Sequence, residues 1–325
     1  MRKRGIALAA LLVLALAIGM SAGPAVFSAG AWLDAVRGDP GPAGTILWRV
    51  RLPRVVTGAL TGGMLAVSGV IFQALLRNPL AEPYLLGVSS GAALGAVSAL
   101  ALGLSASAYF ALPLAALFGA LVAIGVVFEV ARVGGRLDTR VLLLAGVVVS
   151  AFFSACVLLI LTFVRADTLR SAFFWTLGSL SGASWGMIAA MLTYSVPALL
   201  VLFGLSRHLN ALTLGEETAA YLGTETEAVK RLAFLLASLL AAAAVSVAGV
   251  IGFIGLVVPH AVRLSGVRDH RALTPLSFVA GACALVLADA VARTVAAPME
   301  VPIGVITAFL GVPLFLVLLR RSLSG

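Results

Sequence analysis

Long apolar stretches alternate with short polar turns along the whole chain. Because an α-helix needs about 20 apolar residues to cross the hydrocarbon core of a bilayer, each stretch predicts a membrane-spanning helix. The stretches are 5–23, 55–76, 86–105, 109–131, 141–164, 186–205, 232–249, 251–267, 274–296 and 302–319. The pattern therefore predicts an all-α, polytopic membrane protein with about ten transmembrane helices, forming a single transmembrane domain over residues 1–325.

The apolar run from Leu232 to Val267 predicts two helices rather than one. A single helix over these 36 residues would be about 54 Å long, whereas the hydrocarbon core is about 30 Å thick. Glycine and proline interrupt helices, and the run contains Gly249, Gly252, Gly255 and Pro259. We therefore predict a break within this run.

The composition agrees with a membrane protein and argues against several functions. Of the 325 residues, 62% are hydrophobic and 11% are charged, whereas soluble domains have about 25% charged residues. The sequence has no GxxxxGK[ST] phosphate-binding loop, zinc-ligand spacing or Ser/His/Asp set, so we expect no enzyme activity, cofactor or metal site. We attribute the net charge of +9 to one membrane surface, and we expect no nucleic-acid partner.

The distribution of basic residues predicts the orientation. An even number of spans places both termini on one side, and with the termini inside, 15 of the 22 Lys and Arg residues fall in inside segments. Because cytoplasmic segments are enriched in these residues, we expect both termini to be cytoplasmic. A cleaved signal peptide is the alternative for the apolar run after Arg4, but the length of that run favours a retained helix.

Four arginines lie at the predicted outer ends of spans: Arg49, Arg51, Arg54 and Arg293. One interpretation is that their side chains anchor helices at the membrane interface. The other is a docking patch for an acidic external partner. Asp289 lies four residues before Arg293 and shares its helix face, which favours an ion pair that orients Arg293; a proton relay is the alternative. Few other acidic residues lie at membrane depth, which argues against ion-coupled transport.

Small residues form a stripe on the fifth predicted span. Gly146, Ser150 and Ser154 follow at intervals of four and therefore share one helix face. Such a stripe is typical of close helix packing, and it would equally suit the weakly polar wall of a wide pathway. The sequence leaves both interpretations open.

The polar segment at about 209–223 predicts short amphipathic helices between the sixth and seventh spans. Its apolar positions include Leu212, Ala219 and Leu222, and glycines interrupt it. The segment is either a helix lying on the membrane surface or a lever that docks a cytoplasmic motor.

Several motifs together resemble the FecCD-type family of permease subunits in ABC importers for iron-siderophores, haem and cobalamin. They are RLPR from Arg51, NPLAEPYLLGVSSG from Asn78, GFIGLVVPH from Gly252, DHR from Asp269, and LADAVAR followed by APMEVPIG towards the C-terminus. The resemblance extends over nearly the whole chain. It implies a homodimer of ten-helix subunits with the pathway at the dimer axis.

The resemblance also implies roles for individual residues. Basic residues that meet an acidic binding protein correspond to Arg51, Arg54 and Arg293. The helices that couple to the ATPase correspond to Leu212, Gly215, Glu216, Ala219, Leu222 and Gly223, and we expect Glu216 and Ala219 to face the ATPase. The pathway corresponds to Thr139, Gly146, Ser150 and Ser154, with Thr139 near a cytoplasmic gate.

These features predict the permease subunit of a binding-protein-dependent importer in the bacterial inner membrane. Its expected partners are a second copy of the chain, a cytoplasmic ATP-binding-cassette ATPase that hydrolyses the ATP, and a periplasmic or lipid-anchored binding protein. The first expected cargo is an iron chelate, either a siderophore complex or haem, and the second is cobalamin. The alternatives are an ion-coupled secondary transporter, which would work without an ATPase, and a membrane scaffold that transports nothing.

Overall fold

The described part of the chain is almost entirely helical. The computed structural model describes residues 2–23, 25, 27–38, 41–104 and 110–323. The helices are α1 (Arg2–Ser21), α2 (Ala29–Arg37), α3 (Pro42–Ile46), α4 (Leu52–Leu75), α5 (Val88–Ala101), α6 (Ala111–Val130), α7 (Thr139–Phe163), α8 (Ala166–Thr176), α9 (Trp185–Gly204), α10 (Ser206–Thr213), α11 (Glu216–Tyr221), α12 (Thr226–Ala248), α13 (Ile254–Leu264), α14 (His270–Thr294) and α15 (Ile303–Leu323).

Four short elements complete the described fold. A π-helical turn, Leu47–Arg51, leads directly into α4, and a 3-10 helix, Pro83–Leu86, precedes α5. Strands β1 (Arg132–Val133) and β2 (Arg136–Leu137) form an antiparallel hairpin between α6 and α7. The predicted span ends at residues 105 and 109 lie outside the described residues.

Each predicted span coincides with one helix. In the described ranges, six helical segments are long and apolar enough to cross a membrane: Pro42–Leu75, Ala111–Val130, Thr139–Phe163, Trp185–Gly204, Thr226–Ala248 and His270–Thr294. Shorter apolar helices occupy the other four positions: Gly5–Ser21, Val88–Ala101, Ile254–Leu264 and Ile303–Val317. The predicted all-α polytopic membrane protein is confirmed, whereas the count of ten spans and the cytoplasmic termini stay predictions.

Helix α4 is the centre of the bundle, and glycines set how closely its neighbours approach. It packs against α14, α12 and α13. A Cβ on Gly62 would lie 2.2 Å from the Gly281 carbonyl oxygen of α14, and a Cβ on Gly69 would lie 1.8 Å from the Gly255 carbonyl oxygen of α13. Only glycine fits at these crossings, because any side chain would overlap the backbone of the facing helix.

The predicted break is confirmed between α12 and α13, where residues 249–253 are not helical. Gly249 begins this segment with a φ of 70°, in the left-handed region that glycine adopts at little cost. Gly255 and Pro259, which the sequence also offered as break points, lie inside α13.

Side chains from the turn after α4 satisfy the backbone of this break. The Phe253 N–H donates to Glu82 Oε1 at 2.7 Å, and the Ile251 N–H donates to the Tyr84 hydroxyl oxygen at 3.1 Å. Backbone groups at membrane depth need such partners, because no water is available to them. The turn and the break therefore form one unit, and the 3-10 helix of the turn packs against α7.

Candidate translocation pathway and docking surfaces

A cavity of about 440 Å³ lies beside α7, between α5 and the unit formed by the turn and the break. Ser150 and Ser154 of α7 line it together with Ser90 of α5 and Val250 of the break. In the described part of the chain, the buried Ser150 Oγ has no hydrogen-bond partner. A weakly polar, unfilled space therefore exists at two of the positions that the sequence assigned to a pathway.

The third residue of the stripe, Gly146, has a different surrounding. A Cβ on Gly146 would lie 2.2 Å from the Leu85 carbonyl oxygen of the 3-10 helix, so this glycine permits close packing. Phe152, on another face of α7, is exposed and does not line the cavity. The two interpretations of the stripe therefore apply to different members: packing to Gly146, and a cavity wall to the two serines.

A docking patch for an external partner needs exposed side chains, but Arg51, Arg54 and Arg293 are all buried, so the patch is not exposed as that interpretation expects. Arg54 donates through Nε and Nη2 to Asp289 at 3.0 and 2.9 Å, and through Nη1 and Nη2 to the two Glu300 oxygens at 2.8 and 2.9 Å. Arg293 forms the predicted ion pair with Asp289 at 2.9 Å. Charged groups that leave water are retained in proteins when they are paired in this way.

The other contacts of these arginines hold the C-terminal end of α1. Arg293 donates to the Gly19 and Ala22 carbonyl oxygens, each at 2.8 Å. Arg51 donates to the Met20 carbonyl oxygen at 2.8 Å. The last carbonyls of a helix have no partner within the helix, so these guanidinium groups supply the missing donors. These hydrogen bonds to backbone carbonyls, rather than snorkelling to water, explain the positions of Arg51 and Arg293.

Glu300 is the one member of this arginine cluster whose side chain reaches the surface. It is 41% exposed, whereas the Asp289 side chain is 2% exposed. Glu300 follows α14 in the loop before α15. Glu300 was not among the residues predicted from the sequence; the available signal was an acidic residue in the APMEVPIG motif, seven residues after Arg293.

Helices α10 and α11 occupy the segment expected to couple to a motor. Leu212 and Ala219 are buried within the chain itself, so the expectation that Ala219 faces an ATPase is wrong. Gly215 and Gly223 bound α11 with φ values of 118° and 79°, which explains the glycines at both ends. Buried apolar residues anchor the segment, and other residues form its outer surface.

The outer surface of α11 is apolar at its two ends. Leu214 precedes the helix, Tyr221 ends it and Leu222 follows it, and all three are exposed. Tyr221 is 92% exposed. Contiguous exposed apolar side chains mark interaction sites, and Tyr221 and Leu222 are adjacent in the sequence. Of these three residues, only Leu222 was predicted from the sequence to belong to the coupling segment.

A buried lysine joins α11 to the beginning of α7. Lys230 Nζ lies 2.8 Å from Glu216 Oε2 and 2.5 Å from Glu227 Oε1, and it donates to the Leu137 carbonyl oxygen at 3.0 Å. The Leu137 N–H donates to Glu227 Oε2 at 2.9 Å. Glu216 therefore pairs within its own chain, while its side chain stays 40% exposed. That it faces an ATPase stays a prediction.

Thr139, the expected gate residue, is the first residue of α7 and lies next to this lysine junction. It lines a polar cavity of about 320 Å³ together with Glu216 and Lys230. The preceding residue, Asp138, caps α7, and the N–H groups of Arg140 and Val141 hold the pKa of its carboxyl below the usual value. Thr139 thus starts the cavity-lining helix at a point in contact with the coupling segment.

The comparisons with known proteins agree over nearly the whole chain. The model of the FecCD transport family matches residues 11–321. The chain is 44% identical to the cobalamin import system permease protein BtuC of Halobacterium salinarum, over 87% of this chain and 75% of that protein. It is 41% identical to the vitamin B12 import system permease protein BtuC of Salmonella paratyphi A, over 98% and 94% of the two chains.

A solved structure shares the fold. It is described as a metal-chelate type ABC transporter in an inward-facing conformation, and it superposes with a TM-score of 0.86 at 30% identity. The match covers 98% of this chain and 99% of that one.

Proposed function

The chain belongs to the FecCD transport family and is an ABC importer permease, and on this premise we propose that its cargo is a metal chelate taken up across the bacterial inner membrane. The observation that carries the proposal is the unfilled cavity at Ser150 and Ser154. Hydroxyl groups spread along an otherwise apolar wall give a bulky ligand few strong contacts, so it can pass without being trapped.

Two cargoes have specific support. The names of the relatives from Halobacterium salinarum and Salmonella paratyphi A support cobalamin. The solved structure is described only as a metal-chelate type transporter, which suits an iron chelate, either a siderophore complex or haem, as well as it suits cobalamin. Both are bulky metal complexes, so one pathway of this kind suits either.

A separate subunit hydrolyses the ATP in this proposal. Leu214, Tyr221 and Leu222 form its apolar contact on α11, and the buried Leu212 and Ala219 fix α11 to the bundle. The chain itself is not an enzyme in this proposal.

A second copy of the chain completes the pathway. The cavity is open along α7, where Val147 and Ser154 at its edge are exposed, and a second α7 would close this side. The copies therefore meet at α7 in the proposed homodimer.

An external binding protein, periplasmic or lipid-anchored, contacts the outer end of the bundle through Arg54. Glu300 is the exposed partner of Arg54, so an acidic side chain of the binding protein can exchange with Glu300 while Asp289 keeps its bond. Arg51 and Arg293 act in this contact by holding α1 in place. An exposed contact of this kind mainly changes the association rate and its dependence on salt.

The decisive experiment is reconstituted transport. The permease is placed in proteoliposomes with the ATPase and binding protein of the same system, and uptake of labelled cobalamin, iron-siderophore and haem is measured with and without ATP. We expect ATP-dependent uptake of one of the three. Uptake driven by an ion gradient without the ATPase would instead identify a secondary transporter, and no uptake of any chelate would refute the cargo class.

A further inference from the structure

A second cavity, of about 470 Å³, opens beside α10 at the end of the bundle that the charge bias predicts to be cytoplasmic. Its wall includes three arginines and two histidines: Arg77, Arg263, Arg268, His260 and His270. We call it the basic pocket. It lies between the C-terminal ends of α4 and α13 and the first residue of α14.

The charges of the basic pocket have no counter-charge in the described part of the chain. None of the ion pairs there includes Arg77, Arg263 or Arg268. The neighbouring Asp269 is already engaged, because its carboxylate caps α14 and accepts the Asn210 amide at 2.7 Å. Three guanidinium groups around one cavity therefore lack an acidic partner.

Buried donors and acceptors at this site are also unused. Arg263 Nη2, His260 Nε2 and His270 Nε2 are buried, and within the described residues they have no hydrogen-bond partner. His270 as a whole is 4% exposed. A buried polar atom without a partner is unfavourable, so such atoms mark a place where a further group binds.

The backbone at Arg77 supports the same conclusion. Arg77 follows the end of α4 with a φ of 47°, in the left-handed region that usually requires glycine. Its guanidinium lines the pocket. A strained residue whose side chain enters a charged cavity indicates that the position of that side chain matters.

The basic pocket adjoins the proposed ATPase contact. A Cβ on Gly215, the N-cap residue immediately before α11, would lie 3.9 Å from Arg77 Nη1. The exposed residues of the proposed ATPase contact, Leu214, Tyr221 and Leu222, lie just before and at the end of the same helix. A subunit that covers the outer surface of α11 would therefore also reach the mouth of the pocket.

We propose that the basic pocket receives an acidic side chain of the ATPase subunit and forms a second contact beside the apolar one on α11. This inference rests on the proposed ATPase partner. Guanidinium groups bind carboxylates with two parallel hydrogen bonds, which fixes orientation as well as adding affinity. The apolar contact on α11 attaches the ATPase, and the basic pocket sets its rotation relative to α13 and α14.

The test measures binding of the purified ATPase to the full-length permease in nanodiscs of phosphatidylcholine alone. The variant Arg263→Gln with Arg268→Gln should bind the ATPase at least about tenfold more weakly, and its affinity should depend less on salt, because removing buried interfacial charges has effects of this size. Arg268→Gln alone, at an exposed residue, should show part of the loss without affecting folding. Elution and thermal unfolding verify that the variants are folded.

Arg271→Gln is the matched control. It removes the same charge from an exposed residue on the same stretch but outside the pocket. Equal effects of the control and the pocket variants would overturn the proposal, because net charge alone would then explain them. Unchanged ATPase affinity in the double variant would overturn it as well.

A phosphate ligand is the competing occupant, and two further arms detect it. The double variant is also tested for binding of inorganic phosphate and of phosphatidylglycerol added to the nanodiscs. If it keeps its ATPase affinity but no longer binds one of these two ligands, the pocket binds a phosphate group and the proposal fails. The variant Tyr221→Asp tests the proposed ATPase contact on α11 separately from the basic pocket. If Tyr221→Asp leaves ATPase binding unchanged, the contact on α11 is wrong, whatever the pocket variants show.

Discussion

Replacing Lys230 with methionine should uncouple ATP hydrolysis from transport. The Lys230 ammonium group connects Glu216 of α11, Glu227 of α12 and the Leu137 carbonyl oxygen immediately before α7. One side chain therefore joins the proposed ATPase contact to the helix that lines the candidate pathway. Methionine keeps much of the apolar stem but removes all three contacts.

The size of the effect follows from how exposed each partner is. The Glu216 and Glu227 side chains are 40% and 27% exposed, so water weakens both ion pairs to about 1 kcal/mol or less each. The bond to the Leu137 carbonyl oxygen contributes about 1 to 2 kcal/mol, because that oxygen loses a charged donor. The junction should therefore be weakened by about 3 kcal/mol, which lowers the population of the joined state about a hundredfold.

The assay is cargo transported per ATP hydrolysed in proteoliposomes. In Lys230→Met we expect this ratio to fall by about tenfold or more, while the ATPase stays bound through the apolar surface of α11, since that surface is not altered. Lys230→Arg should keep most of the coupling, because it keeps the charge and the donors. Glu216→Gln should lower the ratio, and Glu217→Gln, at the exposed neighbouring position, should not.

Two results would refute this reasoning. A folded Lys230→Met protein with the wild-type ratio would show that the junction does not transmit movement. Equal effects of the Glu216 and Glu217 variants would show that charge near the ATPase matters, and that the contact with Lys230 does not.

The remaining predictions concern the pathway and the packing. After replacement of Cys156 and Cys283, cysteines at Ser150 and Ser154 should react with water-soluble thiol reagents, to an extent that depends on the nucleotide state of the ATPase, whereas a cysteine at Phe152 should not react. If none of the three cysteines reacted in any state, the pathway would have to lie elsewhere. Gly69→Ala should lower the free energy of unfolding in detergent by about 1–3 kcal/mol, because its Cβ would overlap the Gly255 carbonyl oxygen. Gly125→Ala, with open space around it, should change that free energy by less than about 1 kcal/mol. Equal unfolding temperatures of the two variants would contradict the assigned packing.

Helix positions could be predicted because they depend on local patterns. An apolar stretch long enough to cross a bilayer has few other stable structures, and glycine at 249 marks a break because its φ is unfavourable for other residues. The pair of Asp289 and Arg293 was equally local, since residues four apart share a helix face.

Contacts between distant segments could not be predicted in the same way. Arg54 and Asp289 are 235 residues apart, and the crossing of α4 and α14 brings them together. Hydropathy gives the approximate level of a residue along a span, but it does not show which side of the helix faces the bundle. The arginines were therefore placed at the correct end of their helices and wrongly assigned to the exposed surface.

The coupling segment shows the same limit on a smaller scale. An amphipathic pattern distinguishes an apolar face from a polar one, and it does not identify what covers the apolar face. Leu212 and Ala219 were consistent with either the chain's own core or a partner, and the structure places them in the core. Tyr221 follows two alanines in the sequence, and only its full exposure distinguishes it as a contact residue.

The arginine cluster shows how one residue can support both the fold and a contact. The buried Asp289 forms ion pairs with both Arg54 and Arg293 and so fixes α4 to α14. Breaking a buried pair of this kind costs about 3–5 kcal/mol, so this bond does not exchange with a visiting partner. The bond from Arg54 to Glu300 faces water and is much weaker, since solvent screens it. A binding protein therefore competes only with Glu300 for Arg54. The bonds from Arg54 to Asp289 keep α4 and α14 together during this exchange.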